Sequence, residues 1–274
     1  MAASDERVPA GLDISRPNIA RVYDYTLGGK DNFAIDRQVA ELSHQVMPAE
    51  AGARGNRAFL RRVVRYLVTE AGIHQFIDIG SGLPTQGNVH EVAHAIEPSA
   101  RVVYVDNDPM VLVHARAILG RTDATEVITA DVRRPEEILS DPTVTGFLDF
   151  DRPIGLLLFA ILHHVTDEED PEGIARTLRD ALPPGSYMAL SHFHNPGGAN
   201  PRYAAMAVEA EKVFSENLGT GRFRTRDEIL AYFGDFGLVE PGLVPYHEWR
   251  PAFGDPQLPE AMHHLAVGGA ARKK

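Results

Sequence analysis

Residues 76–82 read FIDIGSG, an apolar run that carries an acid and ends in two spaced glycines. A helix-length segment follows, and then VVYVD at residues 102–106, a second apolar run that ends in an acid. This order is typical of a βαβ unit, in which the glycines let a ligand approach the backbone and the second acid accepts hydrogen bonds from a ribose. The two stretches predict a doubly wound, Rossmann-like α/β fold with an adenosine-containing cofactor at the carboxyl ends of the strands.

The alternation of strand and helix continues towards the C-terminus. The run IGLLLF at residues 154–159 is apolar throughout, as expected of a strand buried on both faces. Upstream of the first strand, residues 1–15 are predicted to be disordered, residues 16–72 to form a helical cap, and residues 73–270 the cofactor-binding core. The further predicted strands are 126–129, 154–159, 187–190, 238–244 and 263–267.

Composition narrows the class of protein. At 274 residues with 44% hydrophobic content, the chain is long enough for one large α/β domain. It has no cysteine, which excludes disulfides, thiolate zinc sites and cysteine nucleophiles. A formal net charge of -11 disfavours nonspecific nucleic-acid binding and favours a small-molecule partner. Since the N-terminus has no signal-like core and no run of about 18 apolar residues occurs, we expect a cytoplasmic protein without a membrane span.

The loop after the glycines indicates which cofactor binds. A dinucleotide site usually carries a third glycine, but Leu83, Pro84 and Thr85 follow Gly82 here, and proline lacks the amide N–H that a diphosphate would use. S-adenosylmethionine has no phosphate, so this loop favours it over a nicotinamide dinucleotide. Asp106 is predicted to bind the ribose and Asp131 the adenine amino group. The alternative is that acids at strand ends merely cap helices.

A third stretch carries a family resemblance. Residues 16–33 read RPNIARVYDYTLGGKDNF, and together with residues 76–82 and YVDND at residues 104–108 they resemble the actinobacterial S-adenosylmethionine-dependent methyltransferase family that was formerly a domain of unknown function. The resemblance covers most of the chain from about residue 16 onward. It implies a class I methyltransferase core with a seven-stranded, mostly parallel sheet whose last strand is antiparallel. It does not indicate the methyl acceptor.

The N-terminal stretch allows two interpretations. In the functional one it folds over the strand ends and closes the cofactor pocket, with Lys30 meeting the methionine carboxylate. In the structural one its tyrosines pack on the sheet, its glycines end a helix, and its lysine belongs to an exposed ion pair. The predicted cofactor-binding residues are Tyr23, Gly28, Gly29, Lys30, Asn32, Asp78, Gly80, Ser81, Gly82, Pro84, Asp106, Asn107, Asp131, Val132, Phe159 and Ala160.

Histidines are the candidates for catalysis. His163 and His164 follow the apolar strand 154–159, where an acceptor would approach the methyl group, and His192 and His194 follow the next strand. Methyl transfer depends mainly on proximity and orientation, so a base is useful only for a hydroxyl or amine acceptor. The alternative is that these histidines serve packing alone. No metal site is expected, because the histidines lack ligand-like spacing and a nearby acid.

The sequence therefore predicts an S-adenosylmethionine-dependent methyltransferase that acts on an oxygen or nitrogen atom of a small molecule. A catalytically silent protein that binds S-adenosylmethionine or S-adenosylhomocysteine for regulation is the main alternative, since both would share the cofactor motifs. A nicotinamide-dependent oxidoreductase is a weaker one. Neither the acceptor nor the oligomeric state follows from the sequence.

Overall fold

The computed structural model describes residues 13–83, 87–119 and 123–274. Within them, eight strands form one sheet in the order β3-β2-β1-β4-β5-β8-β6, with β7 also paired to β8. The pairs among β1 to β5 are parallel, and β8 runs antiparallel to β5. The strands are β1 Gln75–Ile79, β2 Arg101–Asp106, β3 Thr125–Thr129, β4 Gly155–Phe159, β5 Tyr187–Phe193, β6 Gly237–Leu238, β7 Val244–Pro245 and β8 Ala266–Arg272.

Helices cover both faces of this sheet. Alternate strand residues point to opposite sides, so Leu157 packs with α3, α4 and α9 whereas Leu156 and Leu158 pack with α6, α7, α8 and α10. This arrangement confirms the predicted doubly wound class I fold. The helices are α1 Ile19–Thr26, α2 Ala34–Val46, α3 Ala49–Thr69, α4 Val89–His94, α5 Pro109–Leu119, α6 Pro135–Ser140, α7 Pro142–Phe147, α8 Pro171–Asp180, α9 Pro201–Leu218, α10 Arg226–Ala231 and α11 Met262–Leu265.

The C-terminal strands differ from the prediction. The predicted strand 238–244 is interrupted, because the chain turns between β6 and β7, where the Gly242 N–H donates to the Val239 carbonyl. Both short strands pair with β8, so the sheet has eight strands where the resemblance implies seven. The predicted strand 263–267 begins later, at Ala266, because the residues before it form α11.

Helices α7 and α11 were not predicted from the sequence, and the proposed division of the chain stays a prediction. Asp141 caps α7 by accepting from the Thr143 N–H, and Pro142 occupies the first turn, a pattern that the sequence contains. Residues 1–12 lie outside the described residues, and so does most of the segment predicted to be disordered. No helix within the described ranges is long and apolar enough to span a bilayer.

Candidate functional site

A single cavity of about 380 Å³ lies where the predicted site should be, at the carboxyl ends of the parallel strands. The loops after β1, β2 and β3 form one end of it. Residues that follow β4 and residues at the end of β5 form the other end, and α1, α3 and α9 contribute side chains to its walls. The N-terminal helix therefore covers the strand ends, as the functional interpretation of the N-terminal stretch expects.

The turn after β1 needs its glycines. Gly80 has φ +73° and Gly82 has φ +68°, a region that residues with a Cβ rarely occupy. A Cβ on Gly80 would also lie 2.7 Å from the side chain of Ile161. The Gly80 N–H donates to the Val105 carbonyl over 2.8 Å, which joins the turn to β2. The backbone at this turn is thereby held open towards the cavity.

Two buried acids face the same space. Asp106 accepts from the Gly82 N–H at 2.8 Å and from the Asp108 N–H at 3.0 Å. Burial raises the pKa of Asp106 to about 6, although these backbone hydrogen bonds oppose the shift. Burial also raises the pKa of Asp78 to about 7, with Arg57 opposing and Asp106 adding to the shift. Such shifts mark carboxylates that lack full hydration and favour a ligand carrying donors.

The end of β3 differs in detail from the prediction. Ala130, Val132 and Arg133 line the cavity, but Asp131 does not. The Asp131 carboxylate accepts from Arg133 Nε at 2.8 Å and from Asn107 Nδ2 at 3.5 Å. Asp131 thus orients two cavity-lining residues, and its contact with adenine stays a prediction.

A hydrogen-bonded chain of side chains connects α1 to the sheet. Tyr23 OH donates to the Ala53 carbonyl at 3.2 Å and accepts from Asn56 Nδ2 at 3.1 Å. Ser191 Oγ donates to Asn56 Oδ1 at 2.6 Å and accepts from the Ala160 N–H at 3.0 Å. Ala160 has φ +53°, which is costly for a residue with a Cβ. The network fixes the backbone after β4 at the junction of the two ends of the cavity.

His163 and His164 both line the cavity, but their surroundings differ. His163 stacks on Phe193 with ring centroids 3.8 Å apart, and its Nδ1 accepts from the Phe193 N–H at 3.4 Å. A proton on His163 must therefore reside on Nε2. His164 Nδ1 is buried and has no hydrogen-bond partner within the described ranges. Burial lowers the pKa of His164 to about 3, so its ring is neutral at physiological pH.

His192, near the end of β5, also lines the cavity, and His194 directly follows this strand. His192 Nδ1 contacts the Phe193 carbonyl at 2.6 Å, and Arg224 Nη1 lies 3.3 Å from its Nε2. His194 Nδ1 contacts the His264 carbonyl at 2.7 Å, and His194 does not line the cavity. Within the ranges that the structure describes, no cluster of three or more histidine or acidic side chains could hold a metal ion.

The loop after α1 is built around its own carboxylate. Asp24 accepts from the Asp31 N–H at 2.9 Å and from Asn32 Nδ2 at 2.8 Å. A Cβ on Gly29 would lie 2.0 Å from Asp24 Oδ1, so this glycine is required by the loop itself. Lys30 is exposed. The glycines of this loop therefore serve its own fold, and the role of Lys30 stays a prediction.

A buried ion-pair network orients α1 over the cavity. Arg21 Nε donates to Asp36 Oδ2 at 2.9 Å, and Arg21 Nη1 lies 3.8 Å from Asp108 Oδ2. Asp36 also accepts from the Asn18 N–H at 2.9 Å. Because Asp108 donates its N–H to Asp106, the N-terminal helices are linked to the acid predicted to bind the ribose.

The predicted cofactor residues thus divide into groups. Pro84 lies outside the described residues. Those that do not line the cavity are Gly28, Gly29, Lys30, Asn32 and Asp131. Those that line it are Tyr23, Asp78, Gly80, Ser81, Gly82, Asp106, Asn107, Val132, Phe159 and Ala160.

Sequence reasoning missed several lining residues on α3 and β5. Asn56 and Arg57 are buried, and Arg57 Nη2 donates to Asn88 Oδ1 at 2.9 Å. Asn56 shares a helical face with Phe59 and Val63, so a polar residue within an apolar stripe was the available signal. Ser191 and Phe193 gave no such signal, because they lie within an apolar strand pattern.

Comparison with known proteins identifies relatives of the whole chain. A methyltransferase candidate from Thermobifida fusca YX has 47% identity and a TM-score of 0.89, covering 97% of this chain and 98% of its own. A DUF574 family protein from Streptomyces avermitilis MA-4680 has 37% identity and a TM-score of 0.87, covering 94% and 98%. An S-adenosylmethionine-dependent methyltransferase from Anabaena variabilis has 16% identity and a TM-score of 0.55 over 95% and 98%, which shows the fold alone.

No protein of curated function matches the chain. The family profile described as S-adenosyl methyltransferase matches residues 5–274. This match confirms the cofactor predicted from the glycine turn and Asp106, and it confirms the resemblance carried by the N-terminal motif. The chain therefore belongs to the S-adenosyl methyltransferase family.

Proposed function

We propose that the protein transfers a methyl group from S-adenosylmethionine to an oxygen or nitrogen atom of a small molecule. The observation that carries this proposal is the single cavity, which joins the glycine turn and Asp106 to His164. Its volume of about 380 Å³ falls within the range of about 300–1,000 Å³ that is usual for small-ligand sites. An acceptor in the His164 end would lie directly beside a cofactor bound at the glycine turn.

The residues present suit the parts of the cofactor. Asp106 would accept from the two ribose hydroxyls, a role that its burial and its fixation by backbone N–H groups support. Asp78 has a carboxylate whose raised pKa favours a cationic partner, and the methionine ammonium group would supply one. Asn107 and Val132 line the end that would hold adenine.

Arg57 replaces Lys30 in this proposal as the partner of the methionine carboxylate. Arg57 is buried, lines the cavity and is close enough to Asp78 to oppose the rise in its pKa. Lys30 is exposed and does not line the cavity. A buried guanidinium with a carboxylate partner would form a charge-assisted hydrogen bond.

When bound, S-adenosylmethionine supplies a methyl group on a sulfonium: the acceptor lone pair forms the new bond, and the electron pair of the broken carbon–sulfur bond stays on sulfur. The chain's part is to align the acceptor, exclude water and take the acceptor's proton. His164 is the candidate base, because its ring is neutral and half-buried and it lines the cavity. His163 would position the acceptor, since its Nδ1 already accepts from the backbone.

A labelling experiment tests the proposal. The purified protein is incubated with methyl-labelled S-adenosylmethionine and an extract of an actinobacterial culture, which is then divided by ultrafiltration into small molecules and macromolecules. Chromatography then separates unreacted S-adenosylmethionine from the other small molecules. We expect a labelled small molecule distinct from S-adenosylmethionine with wild-type protein, and much less of it with Asp106→Asn when S-adenosylmethionine is not saturating. Label confined to macromolecules would contradict the acceptor class. Binding of S-adenosylhomocysteine without any labelled product would indicate the silent binding protein instead.

A further inference from the structure

Charge is distributed unevenly over the cavity wall. Arg57 is close enough to Asp78 of β1 to oppose the rise in its pKa, and Asp106 ends β2. Arg133 follows β3 and donates to Glu169, which follows β4, at 3.0 Å, so these two charges pair with each other. Within the described ranges these five residues are the charged part of the lining, and Glu169 is the one that follows β4.

Apart from Glu169, which is paired with Arg133, the opposite end has no formal charge among the described lining residues. Its histidines are neutral, because burial lowers the pKa of both His164 and His192 to about 3. Arg224 lies behind His192 outside the lining and already binds Asp167 and backbone carbonyls. A carboxylate or phosphate on the acceptor would therefore find no cation in the lining of this end, and an ammonium group would find no unpaired carboxylate. Burying an unpaired charge costs far more free energy than burying a neutral group.

The walls of this end combine apolar and aromatic side chains with a few neutral polar ones, such as Ser191 and Thr220. Phe193 and Phe214 have ring centroids 5.4 Å apart, and His164 lies 6.5 Å from Phe214. Methionine and leucine side chains from the helices add flexible apolar surface. The apolar residues that line this end include Met47, Leu60, Phe193, Phe214, Leu218 and Met262.

We propose that the methyl acceptor is an uncharged, largely apolar molecule that presents one hydroxyl or N–H group to His164. This inference rests on the proposed function, since it concerns the same cavity. His164 lines this end with a half-buried, neutral ring, which offers one hydrogen-bond-accepting nitrogen. The acceptor's single donor would satisfy it, and the rest of the acceptor would bury apolar surface.

Matched probe series on the wild-type protein test the inference. Binding of S-adenosylhomocysteine is measured first by calorimetry, and failure at this step would reject the proposed function itself. The protein saturated with that product is then titrated with naphthol, naphthoate and naphthylmethylammonium, and with octanol, octanoate and octylammonium. In at least one series we expect the uncharged member to bind at least about tenfold more tightly than either charged member.

A cavity-filling variant shows where the probes bind. Leu218 is half-buried at the end of α9, so Leu218→Trp should fill part of the acceptor end and weaken probe binding at least about tenfold without changing the affinity for S-adenosylhomocysteine. Equal or tighter binding of a charged member in both series would overturn the inference. So would the absence of binding by every uncharged probe, or probe binding that Leu218→Trp leaves unchanged.

Discussion

The chain contains two glycine turns that sequence reasoning assigned to the cofactor, and only one of them lines the cavity. The turn after β1 contains Gly80 and Gly82, both with positive φ, and opens onto the cavity. The turn after α1 contains Gly28 and Gly29 and closes around the carboxylate of Asp24. A glycine in a turn therefore indicates that another group lies close to the backbone. Only the folded structure shows whether that group belongs to the cavity or to the same loop.

The neighbours of the missing Cβ atoms show the difference. At Gly80 a Cβ would meet Ile161, which itself lines the cavity. At Gly29 it would meet Asp24, which belongs to the same loop. Substitution at the first position should damage ligand binding, whereas substitution at the second should damage only the local structure.

The largest effect is expected from Gly80→Ala. The new Cβ must displace Ile161 while the backbone adopts a strained conformation, and together these effects should weaken binding of S-adenosylhomocysteine at least about a hundredfold, or about 3 kcal/mol. Calorimetry on the folded variant measures this. Gly29→Ala is the matched comparison: it should lower the melting temperature by about 2–8 °C and leave the affinity within about twofold. Equal losses of affinity would show that both turns serve the ligand.

Asp106→Asn should have the next largest effect. The amide keeps the shape of the side chain but loses the negative charge that would accept from two ribose hydroxyls, so we expect about thirtyfold weaker binding of S-adenosylhomocysteine. Asp31→Asn is the control near the other glycine turn, because Asp31 is exposed to solvent and pairs only weakly with His114 at 3.5 Å. An affinity for the nucleoside that survives Asp106→Asn would remove the ribose assignment.

Arg57→Gln and Lys30→Gln compare the two candidate partners of the methionine carboxylate. Loss of the buried guanidinium should weaken binding of S-adenosylhomocysteine about tenfold, whereas loss of the exposed ammonium group should have no measurable effect. A truncated ligand supplies a second reading: 5′-methylthioadenosine lacks the methionine carboxylate, so its affinity should not respond to Arg57→Gln. If Lys30→Gln produced the larger loss, the original assignment from the sequence would be restored.

These comparisons also indicate how far the sequence alone could lead. The βαβ unit was predictable because its information is local: apolar runs, spaced glycines and an acid lie within about 30 residues of one another. The interrupted strand near Gly242 was not, since the residues on both sides have strand-like character and the pairing to β8 decides where each strand ends.

The acceptor end of the cavity was the least predictable part. Asn56 and Ser191 meet across 135 positions of sequence, and no periodicity links residues so far apart. Arg57 is a similar case, because its distance from Asp78 of β1 depends on how α3 crosses the sheet. Histidines 163 and 164 were found because they directly follow a strand that was itself evident from the sequence.

The smallest expected effect is the pH dependence of the affinity for S-adenosylhomocysteine. It should involve the acids near the turn after β1 and not Asp31 near the turn after α1. Asp78 and Asp106 must be ionised to hold the cofactor in the proposed way, and their pKa values in the free protein are about 7 and about 6. Affinity for S-adenosylhomocysteine should therefore fall about fivefold between about pH 8 and about pH 6.5. Asp78→Asn should remove most of this dependence, and Asp31→Asn should leave it unchanged.

The stability of the ligand-free protein should change in the opposite direction. Both acids have a folded-state pKa raised above the ordinary aspartate value of 3.8, so the folded state binds more protons than the unfolded state between about pH 4 and about pH 7. Their contribution to stability is therefore greatest at the acidic end and declines as the pH rises through this window. Asp78→Asn should flatten that decline and raise the melting temperature near neutral pH. The same substitution should weaken cofactor binding. An acid with a purely structural role would not show both effects.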